Sequence, residues 1–212
     1  MNKKLTSRQE QSIATRSKIF TCATALFAQK SYEKVKISDI CRKANVSIGA
    51  FYHHFPTKES ILNEGYREFD KELQAAWLNY TSGSTREAIH FLIQFQLESI
   101  SRNGCIYATQ FFKNQLTNEV KYILDSERFF YQTIKTIIEN AVAQDALQGS
   151  VLEITEDILS VSRGTIYDWC LHDGKYELIP SGLKDIDMVL LFYQSNYKKQ
   201  QSSNKVEATS AV

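Results

Sequence analysis

Proline appears only twice and glycine only eight times in 212 residues. Proline cannot continue a helix and glycine weakens one, so a chain this poor in both lacks the means for the frequent tight turns of a β architecture. The few breakers instead separate long segments in which apolar residues recur every three or four positions, the spacing of one helical face. The expectation is an all-α fold of about nine helices, with no convincing strand. Hydrophobic residues make up 43% of the chain, ample for a packed core.

Ser7-Arg8-Gln9-Glu10 has the pattern of a capping box. It opens a first helix with Ile13, Phe20, Ala23 and Phe27 on one face, flanked by Ile19 and Leu26, ending near Lys30-Ser31. Short helices follow at Ile37 to Ala44 and Ile48 to Phe55, with Asn45 suited to a left-handed turn between them. Pro56 stops the third helix and Thr57 can cap a fourth, which runs to Tyr80 through Leu62, Tyr66, Phe69, Leu73 and Trp77. Ser84 to Glu87 and Ser150 to Glu153 repeat the capping-box pattern before a fifth and an eighth helix. A sixth is expected over Ile106 to Leu116 and a seventh from Thr117-Asn118 to Val142. Asp173-Gly174 ends the eighth, and Pro180-Ser181 precedes a ninth that ends at Lys198-Lys199.

Charge divides the chain. Residues 1–65 carry 11 Lys and Arg against 5 Asp and Glu, a balance of +6, whereas residues 66–212 balance at −5. A basic small end suggests a polyanion partner there. The same end holds two short helices joined by a tight turn, with Ile40, Ala44, Val46, Phe51 and Phe55 pointing to one core. Small residues, Ser47, Gly49 and Ala50, gather at the start of the second, where a helix entering a DNA major groove must approach base edges closely. Tyr52, His53 and Lys58 follow where donors reach flanking phosphates.

The segment Val35 to Glu59 closely resembles the helix-turn-helix of TetR-family regulators. The shared positions read Ile40-Cys41, Asn45-Val46, Ser47-Ile48-Gly49-Ala50, Phe51-Tyr52 and Phe55-Pro56-Thr57-Lys58. Cys41 replaces the family's usual Ala and Asn45 its usual Gly. Lys36 and Ile37 stand where the family often has a phosphate-touching Thr, a contact that Lys36 or Ser38 could replace. The motif resemblance covers about residues 8–64; beyond it, the helical layout and Arg163 to Cys170 are similar.

The resemblance implies a homodimer that binds double-stranded operator DNA on a pseudo-palindrome. Lys36, Ser38, Ser47, Ile48, Gly49, Ala50, Tyr52, His53, His54 and Lys58 become the expected DNA contacts. It implies a DNA-binding domain over 1–56 and an effector-binding and dimerisation domain over 57–199, in which 57–80 is a linking helix. Residues 200–212 read as a disordered tail. Phe91, Phe95, Tyr107, Phe111, Phe112, Phe130 and Trp169 are candidates to line a pocket for a small, apolar or aromatic effector. Ile158, Val161, Gly164, Thr165, Val189 and Tyr193 are candidates for the dimer interface, although apolar residues there could equally face the subunit's own core.

Other classes leave weaker marks. The four cysteines form no CxxC and suit a reduced cytoplasmic protein. No apolar run reaches the roughly 18 residues of a membrane span, and the polar start Met1 to Glu10 reads as no signal peptide. His90 and His172 with Cys105 and Cys170 would serve a metal or haem sensor, but Cys170 and His172 face different ways on a helix. No cofactor and no metal are expected. No phosphate loop, GxSxG or HExxH supports an enzyme. The favoured expectation is an effector-released repressor; the alternative on the same fold is an effector-independent DNA-organising protein.

Overall fold

The computed structural model describes residues 6–30, 32–81 and 83–194. Among these it contains nine α-helices: α1 Ser7–Gln29, α2 Ile37–Ala44, α3 Ile48–His54, α4 Glu59–Trp77, α5 Thr85–Asn103, α6 Cys105–Thr117, α7 Phe129–Ala143, α8 Val151–Leu171 and α9 Leu178–Tyr193. Two 3-10 turns, Tyr32–Lys34 and Tyr122–Leu124, lie between them. The described residues contain no strand, only an isolated bridge between Leu147 and Gln194. The proposed tail and the expected helix end at Lys198-Lys199 lie outside the described residues, as do Ser31 and Ser82.

The helix boundaries follow local chemistry, with instructive displacements. The first cap is Thr6: its hydroxyl accepts from the Gln9 N–H at 3.3 Å while its own N–H donates to the Gln9 side chain at 2.9 Å, so the box lies one residue earlier than expected. The box at Ser84 forms as expected, with the Ser84 N–H donating to Glu87 at 2.7 Å and the Glu87 N–H to Ser84 Oγ at 3.2 Å. Ser150 precedes α8 but makes no side-chain cap bond. Residues 118–128 do not join the seventh helix; α7 begins only at Phe129, leaving Val120 and Leu124 exposed. Pro180 lies inside α9 as its third residue, in the first turn, where a missing N–H costs no intrahelical bond.

The chain divides into two compact units, with the division falling inside α4. The first comprises the described residues up to Phe69 together with Asn103–Ile123. Its core gathers Ile19, Ala23 and Phe27 of α1, Ile40 and Ala44 of α2, Phe51 and Phe55 at α3, Ile61 and Leu62 of α4, and Tyr107 of α6. Helix α1 packs on both α2 and α6. Arg16 adds polar ties: it donates to both Glu64 oxygens at 2.9 and 2.6 Å and to the His54 carbonyl at 2.5 Å, and its guanidinium lies 4.5 Å from the Phe55 ring centre.

The second unit comprises Asp70–Arg102 and the described residues from Leu124 onward. There α8 packs against α7 and α9. Ile89, Leu92, Ile93, Ile134, Ile138, Ile154, Ile158, Ile186 and Tyr193 are buried. Gly182 lets α9 approach α5, because a Cβ there would run into the Leu97 side chain. Arg128 donates to both oxygens of Asp70 at 2.8 and 3.0 Å, tying α4 to the start of α7. Asp187 of α9 accepts from Arg86 of α5 at 2.7 and 2.6 Å and lies 2.7 Å from His90 Nε2.

Candidate nucleic-acid interface

Helix α2 ends because Asn45 adopts a left-handed conformation, φ 50° and ψ 54°, with its N–H returned to the Arg42 and Cys41 carbonyls. Asparagine tolerates this region better than most residues. The next residues restart the chain in a new direction: Ser47 is extended, and its hydroxyl accepts from the Ala50 N–H at 3.0 Å to cap α3. Helix α3 is seven residues long and buries only Phe51. Phe51 and Phe55 are wholly inaccessible, which anchors the helix by one side.

The other side is open. Ser47, Ile48, Gly49, Tyr52 and His53 are exposed, and Ala50 is half-buried. A Cβ on Gly49 would meet only Ser47 Oγ, at 3.9 Å, so the glycine leaves space outward rather than serving the fold. Lys36 and Ser38, at the start of α2, are exposed as well. His54 is partly covered; burial, then the neighbouring His53 and Arg16 charges, lower its pKa and favour the neutral ring.

Lys58 stands apart from the other expected contacts. Its ammonium donates to the carbonyls of Tyr32 at 2.7 Å and Val35 at 3.0 Å and sits 4.0 Å from the Tyr32 ring centre. Two of its three donors are therefore occupied within its own unit. Arg42 and Lys43, in the last turn of α2, were not among the expected contacts. Both are exposed, Arg42 paired with Asp39 at 2.5 Å. The basic last turn of α2, inside the motif itself, was the available signal.

The effector candidates are shared between the two units. Tyr107, Phe111 and Phe112 belong to the unit that holds the helix-turn-helix, with Tyr107 and Phe111 stacked at 5.8 Å and Phe111 4.3 Å from Tyr66. Phe91, Phe95, Phe130 and Trp169 belong to the other unit. Phe91 packs on Trp77 and Tyr80 at 5.7 and 4.8 Å, and buried Trp169 donates its indole N–H to the Tyr176 carbonyl at 2.9 Å.

Of the interface candidates, Ile158 and Tyr193 are 0% and 1% exposed. A side chain already covered inside its own subunit has no surface left for a partner, so these two leave the expected set. Thr165 is also buried and donates to Asp185 at 2.7 Å. Gly164 is exposed, and Val161 and Val189 are half-buried. Among the described residues, no group of three or more His, Cys, Asp or Glu is placed to hold a metal ion, and no helix is long and apolar enough to cross a membrane.

A capped, tightly turned helix pair whose second member turns small and polar residues outward is the build of a helix-turn-helix DNA-binding regulator. Residues 19–64 match the family model of bacterial regulatory proteins, tetR family. Across 86% of this chain and 88% of the relative, the sequence is 24% identical to the probable acrEF/envCD operon repressor of Escherichia coli K12. Over 61 residues, 29% of this chain and 31% of the relative, it is 39% identical to the transposon Tn10 TetC protein of Escherichia coli. The fold matches that of the transcriptional regulator FadR from Bacillus subtilis in complex with stearoyl-CoA, with TM-score 0.65, 15% identity, and coverage of 82% of this chain and 97% of that one. It also matches a regulator from Saccharomonospora viridis in complex with choline, with TM-score 0.64, 23% identity, and coverage of 84% and 94%. Residues 19–64 thus match the DNA-binding segment of the tetR family of bacterial regulatory proteins, and over most of its length the chain shares the fold of these solved regulators.

Proposed function

We propose that the protein is a homodimeric repressor that binds a pseudo-palindromic operator through α3 and is released by a small-molecule effector. The observation that carries this reading is the split of α3 into a buried aromatic anchor and an open face of Ser47, Ile48, Gly49, Tyr52 and His53. In a major groove Ser47 and His53 offer hydrogen-bonding groups to base edges, and Ile48 offers apolar contact to a thymine methyl. Lys36, Ser38 and Tyr52 serve the flanking phosphates, and Ala50 and His54 complete the contacted helix. In this reading Lys58 acts mainly as a latch that holds the Tyr32 and Val35 carbonyls, and any phosphate contact is left to its third donor.

In the proposed division of labour the helix-turn-helix end binds DNA and the second unit, which begins inside α4 rather than near residue 57, holds the effector. Phe91, Phe95, Phe130 and Trp169 are the proposed aromatic contacts there. Related proteins support the repressor and effector parts: relatives bear the name repressor, and solved neighbours were obtained with stearoyl-CoA and with choline. Those two ligands share little chemistry, so the effector class rests on the aromatic residues of this chain alone. Helix α4 is the proposed transmitter, since Tyr66 packs within the first unit and Trp77 within the second.

A second copy is the proposed cover for an apolar strip on α8 and α9. Leu152, Tyr167 and Leu171 of α8 and Met188, Leu191 and Phe192 of α9 are 49–63% exposed, with Val161, Gly164 and Val189 on the same two helices.

The test is a titration of the full chain on DNA selected from a random library, with sedimentation of the free and bound protein. A dimer on a two-half-site sequence, with half-sites roughly 34–36 Å apart or a multiple of that, is expected. Lys36→Ala should weaken all sequences alike and reduce the slope of log K against log salt by about 0.9, one phosphate's share. A monomer on a single half-site would overturn the dimer, and an unchanged salt slope would remove Lys36 from the phosphate contacts.

A further inference from the structure

Helix α3 is too short to hold its own place. Its start is set by the turn at Asn45 and the Ser47 cap, and its flank by Phe51 and Phe55. Those two rings stand one turn apart on one side, so they resist lifting of the helix more than rolling about the line that joins them. Its end needs a third support. The last carbonyls of a helix lack intrahelical donors, and that of His54 is met by a side chain from another element.

That side chain is Arg16, near the middle of α1. Its Nη1 donates to the His54 carbonyl at 2.5 Å, while Nε and Nη2 donate to the two oxygens of Glu64, on α4, at 2.9 and 2.6 Å. The same guanidinium lies 4.5 Å from the ring centre of Phe55, the residue that ends α3. Each of its three nitrogens is therefore engaged inside the first unit.

Glu64 is 8% exposed. A carboxylate at that depth is costly unless both oxygens are met. Arg16 meets both, and Arg67 stands 3.5 Å from one of them. A buried ion pair is a poor source of stability, because desolvation of the two charges offsets their attraction and an apolar pair of similar volume often serves as well. What a two-pronged guanidinium–carboxylate pair supplies is a fixed geometry. Here that geometry is shared by α1, α4 and the last residue of α3.

We propose that Arg16 is a positioning residue for DNA recognition. With Glu64 it clamps the C-terminal end of α3 to α4, and so fixes the roll of the exposed Ser47, Ile48, Gly49, Tyr52 and His53 face relative to α4. The proposal rests on the reading of α3 as the operator-binding helix. Arg16 touches neither base nor phosphate in this role; it acts through the His54 carbonyl. A displacement of the start of α4 reaches α3 by this charged link.

Arg16→Met combined with Glu64→Leu removes the clamp without changing the net charge and without leaving one buried charge alone. The full-length double variant and wild type are titrated on the selected operator and on the same operator with one base pair inserted between its half-sites, with melting curves in parallel. The double variant should melt within a few degrees of wild type. It should bind the operator about tenfold more weakly, the share of one charge-assisted hydrogen bond. The slope of log K against log salt should not change, because no phosphate contact is lost. Discrimination against the inserted base pair should fall by at least about threefold, since a helix free to roll fits both sites. A merely structural loss would lower both affinities by one factor, through the folded fraction, and leave their ratio at the wild-type value. Glu64→Gln, which keeps the shape and one acceptor, should change the ratio in the same direction and less. An unchanged ratio in both variants, a shallower salt slope, or a double variant that melts well below wild type or fails to fold would each overturn the proposal. A wild-type protein that binds no selected DNA would overturn the reading of α3 itself, a failure seen before either variant is measured.

Discussion

Helices α3 and α8 both leave apolar residues in the open, and they do so in opposite settings. Helix α3 has seven residues and buries one, Phe51; α8 has 21 and buries eight. A seven-residue helix is too short to persist alone in water, so α3 exists because Phe51 and Phe55 are held by α1, α2 and α4. Its exposed Ile48 and Tyr52 share the helix-turn-helix with exposed Ser47, His53, Lys36 and Lys43. The exposed strip on α8 and α9 offers Leu152, Tyr167, Leu171, Met188, Leu191 and Phe192 instead. The first surface suits a polyanion with some apolar edges, the second another apolar surface. Exposed hydrophobicity alone does not distinguish two kinds of partner; the charge around it and the way the helix is anchored do.

The comparison can be broken most severely at the anchor. Phe51→Ala should cost about 3–5 kcal/mol, since a wholly buried ring is replaced by a cavity. A melt followed by circular dichroism should show the first unit lost at a lower temperature while the helical signal of the second persists. If the two units melted together with the wild-type midpoint, α3 would not depend on its aromatic anchor. The α8 and α9 strip calls for a different break. Leu191→Glu with Phe192→Glu, both about half exposed in the single chain, should leave the subunit folded yet turn a sedimenting dimer into a monomer. A dimer that survives both charges would place the partner surface elsewhere.

Gly49→Leu sharpens the contrast, because it separates fold from recognition. Space around the glycine is open, and leucine favours a helix by up to roughly 1 kcal/mol over glycine, so stability should hold or rise slightly. Operator binding should nevertheless be lost, as a bulky group holds α3 off the groove. Retained affinity in a gel-shift titration would remove this face from the DNA.

The smallest expected effect is on pH. His54 has a folded pKa below its ordinary 6.5, through burial and the nearby His53 and Arg16 charges. A lowered histidine pKa means that the unfolded chain takes up the proton first. Stability of the first unit should therefore be full above pH 6.5 and decline as pH falls from there towards the folded pKa. His54→Asn should flatten that slope in melts taken between pH 7 and 5; an unchanged slope would assign it to other groups.

Period and punctuation were enough to determine much of this protein. The scarcity of Pro and Gly, the three- and four-residue apolar spacing, Asn45 as a left-handed stop and the Ser84 cap all act within a few residues of themselves, so they can be read without knowing the neighbours. The helix-turn-helix was legible for the same reason: its turn, small residues and aromatic anchors lie within about twenty-five consecutive positions. What tertiary structure alone decided is which neighbour covers each face. A helical period marks an apolar side on α8 and α9, but only packing sends Ile158 and Tyr193 inward while Leu152, Tyr167 and Leu191 stay out. Only the fold brings the Tyr32 and Val35 carbonyls to the Lys58 ammonium, joins α6 to the helix-turn-helix unit, and sets the Arg16 guanidinium between Glu64 and the His54 carbonyl. Such contacts join residues tens of positions apart in the chain, and burial and hydrogen bonding across that distance leave no local pattern to read.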